Sequence, residues 1–70
     1  MNYEEFVRTV DQTSSNFNWR RGQALMNVLY TVWPEKYEEI TESENDPYYM
    51  DDIVLKTLDI LKNNWNPTRN

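Results

Sequence analysis

The sequence predicts an all-α fold, a compact three-helix core with one additional short helix, and three observations support this prediction. Apolar residues recur at helical spacing in three segments, at about 2–13, 16–33 and 51–64. A proline opens a fourth, short segment, 34–40. No segment shows the alternation of apolar and polar residues that is typical of strands. A chain of 70 residues is expected to form a single domain, 1–70.

The first helix, 2–13, is predicted from its cap and its apolar face. Asn2 can act as N-cap, and two glutamates follow in the first turn, where the helix dipole favours negative charge. One face carries four apolar side chains at i, i+3, i+4 and i+7, namely Tyr3, Phe6, Val7 and Val10. Hydroxyl and amide side chains at 13–16 compete with the helix backbone. We therefore expect a break there, with Ser15 as the N-cap of the next helix.

The second helix, 16–33, is apolar around most of its circumference, which predicts that the other segments surround it. Only a narrow stripe is polar, and it consists of Arg20, Gln23, Asn27 and Thr31. This polar stripe has two interpretations. Its side chains either hydrogen-bond a partner, or they are solvated and satisfy the neighbouring loop. The helix also holds the only glycine, Gly22, which indicates that another backbone or ring comes close.

A proline ends the second helix and starts the short helix 34–40, which turns two residues inward, Tyr37 and Ile40. The loop 41–50 contains an Asp-Pro turn, and we expect its last three residues to pack it down: Tyr48, Tyr49 and Met50. The N-cap of the last helix, 51–64, is expected to be one of two adjacent aspartates, Asp51 or Asp52. The tail, 66–70, is expected to be frayed.

Composition excludes several classes of function. The chain has no cysteine and no histidine, which removes disulfides, argues against a zinc site and leaves no side chain that titrates near neutrality when unperturbed. It has no nucleophile elbow and no phosphate-binding glycine loop, so we expect a non-enzymatic protein without a cofactor. A calcium loop is also disfavoured, because Pro47 and Ile53 stand where such a loop needs Gly and Glu.

The net charge of −5 disfavours direct binding to nucleic acid or to membranes, since both attract Lys and Arg. No apolar run approaches the roughly 20 residues that a membrane-spanning helix needs. The first residues are acidic where a signal peptide is basic. These features predict a cytoplasmic protein.

The acidic arc is the segment 35–52, which holds eight of the twelve carboxylates and one cation, Lys36. Its acidic members are Glu35, Glu38, Glu39, Glu42, Glu44, Asp46, Asp51 and Asp52. The arc is either a solubilising face or a surface that imitates nucleic-acid phosphates and occupies a basic groove of a protein partner. For the second interpretation, the predicted partner-binding residues are five carboxylates and two aromatic anchors: Glu38, Glu39, Glu42, Glu44, Asp46, Tyr48 and Tyr49.

Three further features also have two interpretations each. Arg21 projects from the apolar side, so it either binds an anion or a partner, or pairs within the chain with Asp51, Asp52 or Glu4. The tryptophans either form the core or offer stacking surfaces: Trp19, Trp33 and Trp65. Leu55 lies on the polar face of the last helix, either as an ordinary exposed leucine or as the centre of a homodimer contact.

Several short motifs follow one another between about residues 20 and 60. Arg20 to Tyr30 reads R-x-G-Q-x-x-x-N-x-L-Y, and it is followed by Pro34 and by Asp46-Pro47-Tyr48-Tyr49. This order resembles a group of small uncharacterised proteins of tailed bacteriophages and bacteria, with a D-P-[FY]-Y turn. The chain departs from the pattern at 42–45, where the group often has a glycine. The resemblance implies a phage-linked setting, in which small acidic helical proteins often bind and block a host protein, and it implies no catalytic residue.

The expected function is therefore that of a non-enzymatic acidic module that binds a protein. In the phage-linked setting it would be an inhibitor or modulator of a host defence or nucleic-acid-handling protein, in the host cytoplasm. One alternative is a small structural or assembly protein, or a homo-oligomeric adaptor held through Leu55 and exposed aromatics. A weaker alternative is a sponge that holds a nucleotide between subunits with Arg20 and Arg21.

Overall fold

The computed structural model describes residues 1–67, which contain four α-helices and no β-strand, and this confirms the all-α prediction. The helices are α1 (Tyr3–Phe17), α2 (Arg21–Val32), α3 (Pro34–Ile40) and α4 (Val54–Asn63), and a 3₁₀ turn (Asp51–Ile53) leads into α4. The last three residues of the predicted frayed tail lie outside the described residues. None of the helices in this part of the chain combines the length and the apolar character needed to cross a bilayer.

The start of α1 is determined by its cap, as predicted. Asn2 Oδ1 accepts a hydrogen bond from the Glu5 backbone N–H at 2.8 Å, and Glu5 Oε1 accepts one from the Asn2 N–H at 2.9 Å. This reciprocal pair is a capping box, which satisfies two backbone donors that no helical carbonyl can reach. The predicted apolar face is confirmed, because two of its members are fully buried and two pack beside them: Phe6 and Val10, then Tyr3 and Val7.

The end of α1 corrects the predicted boundary between the first two helices. Residues 13–16 continue α1, so the predicted break there and the assignment of Ser15 as an N-cap are wrong. The helix stops at Asn18, whose φ of 56° is left-handed, and the N–H groups of Asn18 and Trp19 both donate to the Ser14 carbonyl. Asparagine adopts this conformation more readily than most residues. The Ser14 hydroxyl, expected to compete with the helix, instead donates to the Trp19 carbonyl at 2.7 Å.

α2 is shorter than the predicted segment 16–33, but it is the central helix and contacts both α1 and α3. Half of its residues are buried: Gly22, Ala24, Leu25, Met26, Val28 and Leu29. Tyr30, which lies outside the polar stripe and was therefore expected to be buried, is 61% exposed. The apolar character of α2 therefore predicts its central place correctly, although its last turn is partly open to solvent.

Two of the three tryptophans belong to the aromatic part of the core. The Trp33 and Trp65 rings meet edge to face with centroids 5.3 Å apart, and Tyr3 meets Trp65 in the same way at 5.8 Å. Burial raises the pKa of the Tyr3 phenol above its ordinary value, and the negative charge of Asp59 adds to the rise. Trp19 lies only half-buried, at the edge of the core.

α3 has the predicted bounds, Pro34–Ile40. Proline suits the first position of a helix because its fixed φ is helical and its missing N–H would have no helical partner there. Ile40 is buried and Tyr37 packs against the core, which confirms their inward orientation. Lys36 lies with its Nζ 3.0 Å from Glu39 Oε1 and 5.1 Å from the centroid of the Trp33 ring.

The segment after α3 differs in two ways from the prediction. Tyr48 is half-buried against the core as expected, but Tyr49 is 81% exposed and Met50 is also exposed. Asp51 and Asp52 do not cap α4, because both lie in the 3₁₀ turn and neither turn nor helix has a side-chain cap.

Leu55 is 75% exposed, as its position on the polar face predicts.

Gly22 confirms the expected close approach. A Cβ added there would overlap the carbonyl oxygen of Pro47 and would lie 2.9 Å from Asp51 Oδ1. The same carboxylate oxygen accepts the Gly22 N–H at 3.1 Å and lies 3.9 Å from Arg20 Nη1. Asp51 therefore satisfies a backbone donor in the first turn of α2, which has no cap of its own.

We expect Gly22→Ala to lower the free energy of unfolding by about 1–3 kcal/mol, because the obstructing Pro47 atom belongs to the backbone and cannot rotate away. The higher helix propensity of alanine alone would raise the free energy of unfolding by about 1 kcal/mol. Thr31→Ala, at an exposed position of the same helix, is the matched control. Urea unfolding measures both, and a Gly22→Ala protein that is more stable than the wild type contradicts the close approach.

Candidate functional site

A groove of about 310 Å³ lies among α2, α3 and the loop 41–50, within the acidic arc. We call it the tyrosine groove. Its lining combines three tyrosine rings with two carboxylates and an amide from the polar stripe. The lining residues are Met26, Asn27, Tyr37, Thr41, Glu42, Asp46, Tyr48 and Tyr49. Four of the seven predicted partner-binding residues are therefore brought together here.

Asp46 organises the loop that forms one wall of the groove. Its Oδ2 accepts the Glu42 N–H at 2.7 Å and its Oδ1 accepts the Tyr48 N–H at 2.9 Å. One carboxylate thus links the two ends of a seven-residue stretch, 42–48, and sets the direction in which the Glu42 and Tyr48 side chains leave the backbone. Aspartate suits this position because its short side chain bonds to backbone groups nearby.

Glu42 has an unusual backbone conformation. Thr41 has φ −54° and ψ 128°, Glu42 has φ 63°, and the Ser43 N–H donates to the Ile40 carbonyl at 2.9 Å. These features define a type II turn whose third residue is Glu42, the position that glycine normally occupies. A side chain there costs about 1–2 kcal/mol, because Cβ crowds a carbonyl oxygen in the left-handed region. A carboxylate is therefore held at the groove against the preference of the backbone.

Four of the five tyrosines occur as two edge-to-face pairs. The Tyr48 and Tyr49 centroids are 4.8 Å apart at an interplanar angle of 67°, and the Tyr30 and Tyr37 centroids are 5.0 Å apart at 71°. In such a pair the edge of one ring rests on the face of the other, so ring faces remain available for a further contact. The first pair lines the groove, and Tyr37 of the second pair lines it too.

The polar stripe does not form one continuous surface. Gln23 Nε2 lies 3.5 Å from the Tyr48 hydroxyl, a long contact that joins α2 to the loop. Arg20 lies beside Asp51, and only Asn27 lines the groove, with its Nδ2 donating to the Gln23 carbonyl at 3.0 Å. Gln23 therefore fits the interpretation in which stripe side chains bond to the neighbouring loop. Asn27 remains a candidate for hydrogen bonding to a partner.

The carboxylates of the acidic arc have different surroundings. Asp46 holds the loop, Asp51 meets the first turn of α2, and Glu39 pairs with Lys36. Two further members of the predicted partner-binding set, Glu38 and Glu44, are exposed. The arc is thus partly structural, and two of its carboxylates, Glu42 and Asp46, line the groove.

Arg21 corrects a prediction. Its Nε lies 3.0 Å from Asp11 Oδ1, so it pairs within the chain, but with α1 rather than with Asp51, Asp52 or Glu4. Asp11 lies on α1, which packs against α2, the helix that begins with Arg21. Both arginines of the nucleotide alternative therefore have a carboxylate neighbour in the chain.

A second groove, of about 360 Å³, lies between α1 and α2, and none of its lining side chains is charged. Trp19 lines it, and exposed Phe17 stacks on Trp19 with ring centroids 4.9 Å apart. We call it the uncharged groove. The other residues that line it are Met1, Thr9, Thr13, Asn27, Val28, Thr31 and Val32.

Sequence reasoning missed the contributions of Met26, Tyr37 and Thr41 to the tyrosine groove. Their spacing indicates only which helix face they share, and the groove exists because α3 and the loop fold back on α2. One signal was present for Glu42. It stands two residues after the end of a helix, where left-handed residues are common.

Comparison with protein-family models, with curated proteins and with solved structures finds no match for this chain. The resemblance to phage and bacterial proteins therefore stays a prediction. The functional argument below rests on the tyrosine groove and on the charge around it.

We expect Glu42→Gly to raise the free energy of unfolding by about 1 kcal/mol, because glycine adopts positive φ without crowding. The control is Glu44→Gly, which removes the same charge from the same loop at an exposed residue without positive φ. Thermal and urea unfolding of both variants measures the difference. Equal effects of the two substitutions would mean that charge, and not the turn, decides the outcome.

Proposed function

We propose that this protein is a non-enzymatic binding module that attaches through its acidic arc to the basic surface of a protein partner and thereby inhibits or modulates that partner. The observation that supports this most is the tyrosine groove itself. It places three tyrosine rings, of which Tyr49 is exposed, in a concavity lined by two carboxylates. Rigid aromatic anchors that fill or form pockets contribute most of the binding energy in typical interfaces.

The charge distribution supports the same proposal. The net charge is −5, and the arc has one sign apart from Lys36, whose Nζ is paired with Glu39. A surface of one sign accelerates encounter with an oppositely charged partner and repels partners of like charge. Proteins that handle nucleic acid present such basic surfaces, because they neutralise phosphates with Lys and Arg. In the phage-linked setting that the sequence resemblance implies, the partner is a host protein of this kind.

We expect reversal of four arc carboxylates to lysine to abolish capture of the partner without unfolding the chain. The variant is Glu38→Lys, Glu39→Lys, Glu42→Lys and Glu44→Lys. All four side chains are exposed, so the core stays intact and circular dichroism retains its helical signal. Pull-down from a lysate of the bacterial host measures binding, and raising the salt concentration weakens capture by the wild type.

The matched control reverses the same number of charges at the four carboxylates outside the arc: Glu4, Glu5, Asp11 and Asp59. This variant loses the capping box and the Arg21 ion pair, which lowers its melting temperature, but it is expected to retain the partner. Unchanged binding after reversal of the arc, or equal loss in both variants, rejects the arc as the interface.

A homo-oligomeric adaptor is the second candidate, and two observations favour it. Leu55 is 75% exposed, and the uncharged groove is a surface on which a second copy of an acidic chain could approach without repulsion between carboxylates. Small domains also gain stability from association, because they bury a limited share of their own surface.

If the protein is a homo-oligomeric adaptor, its sedimentation coefficient is expected to rise with protein concentration. Leu55→Glu is then expected to abolish this rise. Lys56→Glu, the adjacent exposed position, is the control for charge and is expected to leave the rise in place. A coefficient that stays at the monomer value at two concentrations, for example about 10 µM and about 500 µM, rejects the adaptor and leaves the acidic binder.

A further inference from the structure

We propose that the tyrosine groove is a receptor for a single arginine side chain of the protein partner. This inference rests on the proposed function and names the chemical group that the acidic surface recognises. Its grounds are the shape of the groove, the ring faces around it and the position of one carboxylate at its edge.

The groove has the dimensions and surfaces that a guanidinium group needs. Its volume of about 310 Å³ can hold one long side chain, and three tyrosines line it. The Tyr48 and Tyr49 rings meet at 67°, which forms a corner with ring faces on two sides. A planar guanidinium stacks on such a face, since the negative face of the ring attracts the cation and the flat group excludes water from it.

Two carboxylates give the groove a negative potential, and they have different tasks. Each Asp46 oxygen already accepts one backbone N–H, so Asp46 contributes a fixed charge rather than a movable ligand. Glu42 has an exposed side chain on a turn that Asp46 holds. Glu42 can therefore meet the fork of a guanidinium with two parallel hydrogen bonds, which a lysine ammonium cannot match.

The backbone at Glu42 is an independent reason to assign a task to this carboxylate. Its φ of 63° would suit glycine, and the side chain is retained there at a cost in stability. Residues with a strained backbone conformation tend to occur at functional sites. No other residue that lines the groove has a positive φ.

The chain already shows related chemistry on α3. Lys36 Nζ lies 5.1 Å from the centroid of the Trp33 ring and 3.0 Å from Glu39 Oε1, so one cation is shared by an aromatic face and a carboxylate. The tyrosine groove offers the same two partners, tyrosine faces and Glu42, and the partner protein supplies the cation.

The test is a titration of ¹⁵N-labelled protein with the tripeptide acetyl-Gly-Arg-Gly-amide, followed by the chemical shifts of the backbone amides. The control peptides carry citrulline, which has the shape of arginine without its charge, or lysine. We expect saturable shifts at the amides of Asn27, Glu42 and Tyr48, with the citrulline and lysine peptides about tenfold weaker. Glu42→Gly should lose the shifts at Asn27 and Tyr48 although it is expected to be more stable, whereas Asp59→Asn, which removes the charge of an exposed carboxylate outside the arc, should keep them.

Four outcomes overturn the proposal. They are no saturable shift at the groove, equal binding of the citrulline peptide, equal binding of the lysine peptide, and unchanged arginine binding by Glu42→Gly. These outcomes are separate from a failure of the proposed function. If the arginine peptide fails while arc reversal still abolishes partner capture, the acidic interface stands without an arginine receptor. If arc reversal leaves capture intact, the proposed function fails whatever the peptide does.

Discussion

The contact between the Pro47 carbonyl and Gly22 is the constraint on which the rest of this fold depends. Two backbones meet there at a distance that no side chain would permit, and the Asp51 carboxylate closes the same contact by accepting the Gly22 N–H. This contact ties the end of the loop 41–50 to the first turn of α2. The wall of the tyrosine groove and the entry into α4 both follow from it.

The other end of the loop is held by local means. Pro34 sets the start of α3, the type II turn ends that helix, and Asp46 links Glu42 to Tyr48 through two backbone hydrogen bonds. With both ends held, the loop would lose little conformational freedom when its tyrosines contact the partner that we propose. Preorganisation of this kind raises affinity, because the entropy of ordering has already been lost on folding.

The features that the sequence predicted well are those that neighbouring residues determine. The N-cap at Asn2 and the helix Pro34–Ile40 depend on side chains within one or two turns, and both were predicted correctly, although the return hydrogen bond from Glu5 was not foreseen. Gly22 was informative for a different reason, because a helix interior rarely keeps glycine unless something comes close. The exposure of Leu55 was predicted correctly from the helical spacing alone.

The features that were missed depend on competition between side-chain and backbone hydrogen bonds, or on contacts between residues far apart in the sequence. Hydroxyl groups at 13–16 were expected to break α1, but they are accommodated within it and Asn18 ends the helix instead. Asp51 was assigned to α4 because it precedes that helix, whereas its hydrogen bond goes to α2. The tyrosine groove could be predicted in composition but not in shape, since its lining comes from three segments that only tertiary packing brings together.

The hydrogen bond from Gly22 to Asp51 has a consequence for the order in which the chain folds. The donor and the acceptor are 29 residues apart, and α2 has no side-chain cap of its own. While the protein is being synthesised, the first turn of α2 therefore frays until the ribosome has released the segment that carries Asp51. We therefore expect the first turn of α2 to become fully ordered only after the loop 41–50 has folded back on it.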